Sequence, residues 1–163
     1  MKYYLLIPAG IFPYVLLISL YCLFSETLTP LFLIGVLFLL FLVAFICNAV
    51  FVSLSMVQKW NAKGIALANM VVKLIQIPAY LAIFVLGVLF FISIFTYVFS
   101  IFFILYDAAA ILLTGLIGVA AVIRGHAEGR ATDAFAVING ILQFIFCVDV
   151  VSSIVVYVRA RKK

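Results

Sequence analysis

Residues 77–123 read IPAYLAIFVLGVLFFISIFTYVFSIFFILYDAAAILLTGLIGVAAVI, a run of 47 positions in which Asp107 is the one charged side chain. As a single helix the run would measure about 70 Å at 1.5 Å per residue, more than twice the ~30 Å hydrocarbon core of a bilayer. It therefore has to double back. Ser93, Thr96, Tyr97 and Ser100 concentrate its polarity, so the turn is expected over 93–100, between spans at 74–94 and 99–123.

The rest of the chain has the same character. Of 163 residues, 70% are hydrophobic and 9% charged, against roughly 45–50% and about 25% in soluble domains. A chain this short cannot bury so much apolar surface against itself. Backbone groups in lipid must bond within their own segment, which leaves helices or closed barrels. The apolar runs show no two-residue alternation, so helices are expected. The fold class is an all-α, polytopic integral membrane helix bundle forming one transmembrane domain over 1–163.

Further spans are expected at 3–24, 30–56 and 134–158, giving five. Pro8 and Pro13 interrupt the first, and Pro30 suits the opening turn of the second. No small-residue cleavage pattern follows the first run, so a retained helix is expected rather than a signal peptide. Trp60 between Lys59 and Lys63 has the look of an interfacial anchor. Residues 124–133 form the clearest loop, with Thr132 as a helix cap and Asp133 at the positive end of the following helix. His126 and Glu128 read as solvated residues of that loop.

The charge pattern disagrees with five crossings. With the N-terminus inside, Lys2, Lys59, Lys63, Lys73, Arg124 and Arg130 are cytoplasmic, while Arg159, Arg161, Lys162 and Lys163 fall outside. A clean positive-inside pattern does not split in this way. Four spans plus one re-entrant or interfacial segment would place both ends on one side, and the proline-bearing N-terminal segment is the natural element to stop short of crossing.

Polar residues inside the apolar runs mark the candidate sites, since a carboxylate at mid-span costs roughly 2.5–3.5 kcal/mol on insertion scales. Counting along five spans brings Asp107 and Asp149 to similar depth, ~12–14 Å from one face. Thr114, Gly118 and Ala121 share the Asp107 side of its helix, where small residues admit a close neighbour. Ser152 and Ser153 stand one turn beyond Asp149, within reach of its carboxyl. This constellation reads either as a lock between two helices or as a proton or cation site. A second polar face, Asn69, Lys73, Gln76 and Tyr80, repeats at offsets of 4, 3 and 4. It reads as an interfacial stripe with a snorkelling lysine that Pro78 then redirects, or as the wall of a cavity that Asn48 also faces, although a hydrogen bond between helices explains Asn48 equally well. Asn139 and Gln143 form a further polar pair in the last span.

No metal-ligand spacing, nucleotide-binding glycine loop or serine–histidine constellation is present, and Cys22, Cys47 and Cys147 lie inside apolar runs as small apolar side chains. No cofactor, metal or nucleic-acid partner is expected; the net charge of +5 flanks apolar spans and answers to headgroups. Tyr106-Asp107 with a second aspartate on the next helix superficially looks like presenilin-type aspartyl proteases, but Cys147-Val148-Asp149 lacks the glycines of their Gly-x-Gly-Asp motif. The stretch Lys73-Leu74-Ile75-Gln76-Ile77-Pro78-Ala79-Tyr80, with Cys147-Val148-Asp149-Val150-Val151-Ser152, resembles small multispan membrane proteins of Gram-positive bacteria, a group without an assigned activity. That resemblance implies a bacterial cytoplasmic membrane and carries over no site residue. The expected function is a non-enzymatic interaction or accessory subunit, with the bilayer, a membrane protein or further copies of the chain as partners. The alternative is a small transporter or channel that couples through paired carboxylates.

Overall fold

The computed structural model describes residues 3–27, 29–92 and 97–161. A 3-10 turn, Tyr3–Leu6, leads into α1 (Ile7–Phe24), followed by α2 (Pro30–Val57), α3 (Ala62–Ile92), α4 (Tyr97–Ala127), α5 (Asp133–Leu142) and α6 (Val148–Arg161). No strand occurs among the described residues. The Tyr3–Phe24 segment, α2, α3 and α4 are long and apolar enough to cross a bilayer. The chain is an all-α helical membrane protein.

The doubling back of residues 77–123 takes place between α3 and α4. Ser93 and Thr96 lie outside the described residues, whereas Ser100 is already inside α4, donating to Gly87 O of α3 at 2.8 Å. The helix α4 is the central element, the most buried of the four, and α2 is the most exposed.

Pro13, inside α1, is accommodated by its neighbours. Pro13 has no N–H for the carbonyl of Ala9, and Gln76 Nε2 of α3 donates to that oxygen at 2.7 Å. Close by, Tyr106 of α4 donates to Phe12 O at 2.6 Å and stacks on the Phe12 ring at 4.3 Å. Pro78 does not redirect α3, which continues through it. The Tyr14 hydroxyl of α1 donates to Ile75 O, one turn before that proline. A freed carbonyl in an apolar medium needs such a donor as Gln76, and these bonds between helices also fix the register of α1 against α3 and α4.

The last segment departs from the single helix expected over 134–158. It breaks at Gln143–Cys147, where Cys147 adopts φ +64°, and α6 returns alongside α5. The fold-back is fixed at both ends. Near the tip Ser152 Oγ donates to Asn139 Oδ1 at 3.0 Å. At the base Arg159 Nε donates to Arg130 O at 2.8 Å, and Arg130 Nη1 donates to Ala160 O. Residues 139 and 152 would stand about 20 Å apart in one continuous helix. The pair α5–α6 is thus a re-entrant hairpin, and the element that stops short of crossing is the last segment rather than the proline-bearing first one.

This hairpin resolves the charge conflict. Arg124 Nε donates to Trp60 O at 3.0 Å, and Glu128 Oε1 accepts from Ala62 N at 2.8 Å. Glu128 Oε2 also pairs with Arg130 at 2.9 Å. Glu128 is therefore a tie between two loops, not a solvated loop residue. Lys59, Lys63, Arg124, Arg130, Arg159 and Arg161 all gather at this end of the bundle. Glu26 is the one described charged residue at the opposite end.

Candidate functional site

The polar stripe of α3 forms the floor of the site. Asn69, Lys73 and Gln76 are fully buried and Tyr80 nearly so, so this face turns into the bundle and not toward headgroups. The reason lies 76 residues away in the hairpin. Lys73 Nζ meets Asp149 Oδ2 at 2.9 Å, with side chains 0% and 2% exposed. It also lies 3.2 Å from Gln143 O and 3.5 Å from Asp149 O. An ammonium has three protons to place, and the tip of the hairpin supplies three oxygens. Lysine stands eleven residues into α3, about 16 Å below the basic end, too deep to reach water by extending its side chain.

A chain of amides and hydroxyls continues from this pair. Asn69 Nδ2 donates to Gln143 Oε1 at 3.2 Å, and Gln143 Nε2 donates to Ser152 Oγ at 3.1 Å. Ser152 passes its own proton to Asn139, which in turn donates to Phe135 O at 3.0 Å. Irregular backbone at membrane depth is tolerated where it is buried in protein, and this network is what buries and satisfies the turn. The opposite wall is α4. A Cβ at Gly118 would stand 2.2 Å from Gln143 Oε1, and one at Gly115 would stand 2.5 Å from the Phe144 ring. The two glycines make the recess in which the tip sits.

The candidates named from the sequence divide accordingly. Asp149 pairs with Lys73 and not with Asp107, and no hydrogen bond or ion pair joins the two aspartates. Their expected alignment in depth assumed a fifth crossing, which the fold-back removes. Ser152 belongs to the amide network, and Ser153 donates to Val150 O on its own helix at 2.7 Å, so neither serves the Asp149 carboxyl. The Thr114 hydroxyl bonds back to the carbonyls of Ala110 and Ile111. Asn48 donates to Leu113 O at 3.1 Å, a link between α2 and α4 rather than a cavity wall. Tyr80 donates to Gln76 Oε1 at 2.9 Å. Gln143 and Asn139, which read from the sequence only as a further polar pair, are the central members of the network. Their spacing of four within an apolar run was the available signal.

Asp107 stands apart from all of this. It is 9% exposed, and its Oδ1 is buried with no hydrogen-bond partner. Two crevices meet at it, of about 470 and 210 Å³. They share Phe84 and Ile104 as well as Asp107; the larger opens on the lipid-facing side between α3, α4 and the hairpin tip, the smaller between α3 and α4.

Comparison of the chain with family models, with curated proteins and with solved structures gives no match in any of the three.

Proposed function

We propose that this chain is a non-enzymatic, membrane-embedded interaction subunit that engages its partner laterally within the bilayer. One contrast carries the reading. Lys73 and Asp149 neutralise each other inside a closed network, while Asp107 lines crevices that open sideways and its buried Oδ1 has no hydrogen-bond partner. Intramembrane ionisable groups are costly and mark function when nothing internal accounts for them. A transporter coupled through Asp107 and Asp149 as a pair has less support, because Asp149 is held by Lys73. The clustering of the described loop and tail cations at one end supports a cytoplasmic placement of that end. The sequence resemblance supports a bacterial cytoplasmic membrane.

The test is isolation of the tagged chain from its native membranes in a mild detergent, with the composition of the purified species measured. A stoichiometric membrane protein partner is expected. Repeated recovery of the chain by itself would overturn the proposal, as would gradient-driven proton or cation flux in proteoliposomes that Asp107→Asn abolishes.

A further inference from the structure

We infer that the Asp107 crevice receives a single transmembrane helix carrying a lysine or arginine at mid-depth. This inference rests on the interaction-subunit reading and names the partner's chemistry. The shape of the crevice argues for a helix. Its two lobes follow α4 from Ser100 to Leu112, about 18 Å at 1.5 Å per residue. That is long for a small ligand and matches the contact stripe of a helix packed alongside α4. Ala108 lies along the stripe, and a small residue lets a second backbone come close.

Charge argues for the cation. Apart from Ser100, whose hydroxyl is taken up by Gly87 O, the lining is otherwise apolar or aromatic, with Phe84, Ile104, Leu112, Phe144 and Phe146 all facing outward. An unpaired carboxylate in such surroundings is expensive, as is an unpaired ammonium on a lone helix, and each supplies what the other lacks. A second copy of this chain does not supply it. Lys73 is the one described cation buried within the spanning helices, and Asp149 already holds it. The other described cations sit at the end where α4 finishes, twenty residues and about 30 Å along the helix from Asp107.

The probe is a synthetic leucine–alanine helix of about 20 residues, the length that spans a bilayer, with lysine or leucine at its centre. It is dye-labelled and reconstituted with the labelled full chain in liposomes, and association is read by energy transfer. The lysine helix is expected to associate about tenfold more tightly than the leucine helix, the scale of polar contacts between model transmembrane peptides. Asp107→Asn should reduce that preference to nothing while leaving the melting temperature unchanged, since the Lys73–Asp149 lock lies elsewhere. Should Asp107→Asn fail to fold, Ala108→Phe fills the crevice and leaves the carboxyl in place, with the same loss expected. Equal association of the two helices overturns the inference, as does a lysine preference that survives both variants. Energy transfer between copies of the chain without peptide, abolished by Asp107→Asn, would make a second copy the occupant and also overturn it. Each of these failures leaves a partner bound at another surface detectable in native membranes, so the wider reading stands or falls separately.

Discussion

Lys73 Nζ and Asp149 Oδ2 meet at 2.9 Å in the interior of the bundle, although 76 positions of sequence separate them. Removing one partner of a buried pair strands the other, typically at a cost of about 3–5 kcal/mol, whereas apolar replacement of both is often tolerated. Lys73→Met and Asp149→Leu are each expected to destabilise on that scale. The double variant should recover most of the loss. Unfolding in detergent micelles, compared across the four chains, measures the coupling, and simple addition of the two losses would show that the groups act independently.

Gly118 faces the Gln143 side chain so closely that an added Cβ would stand 2.2 Å from Oε1. Gly118→Ala should push Gln143 out of its bonds with Asn69 and Ser152, for a loss of about 1–3 kcal/mol by overpacking. Gly35→Ala is the control, since nothing lies within 4 Å of a Cβ there. Equal stability of the two variants would mean that the hairpin tip does not rest in the α4 recess.

The fold-back has a topological readout. In a chain whose three native cysteines are replaced, a cysteine at Arg161 is expected to react with an impermeant thiol reagent from the same side as one at Lys63. A cysteine at Glu26 should react from the opposite side. Labelling of position 161 together with position 26 would restore a fifth crossing.

Gln76 and Pro13 are coupled through a backbone oxygen that neither owns. Gln76→Leu leaves Ala9 O without a donor, a desolvation cost of about 1–3 kcal/mol. In the Pro13→Ala background residue 13 regains its N–H, so the same change should cost measurably less. A double-mutant cycle on unfolding gives the difference directly.

Much of this architecture was legible because it follows from length and polarity alone. The turn within residues 77–123 is forced by the thickness of a bilayer, and the α3 stripe appears in the spacing of Asn69, Lys73, Gln76 and Tyr80. Which way that stripe faces was not legible. A lysine on a polar stripe looks the same whether it reaches for headgroups or for Asp149, and the choice depends on a contact 76 residues distant. The break at Gln143–Cys147 was hidden for a related reason. No proline or polar run marks it, and the turn is stabilised by Lys73 and Asn69, which are remote in sequence. The trace it left was indirect: four basic residues after the last apolar run, on the wrong side of an odd number of crossings. Pro8 and Pro13 drew suspicion to the first segment instead, because the donors that rescue Pro13 belong to other helices.

The hairpin also imposes an order on biogenesis. As the chain emerges from the ribosome, Lys73 enters the bilayer well before its counter-charge exists, and α5 with ten residues is too short to hold a transmembrane position by itself. Insertion of the first four helices therefore leaves Lys73 without its counter-charge until the last segment docks. A chain halted before Asp149 lacks the carboxylate that keeps Lys73 paired in the finished fold.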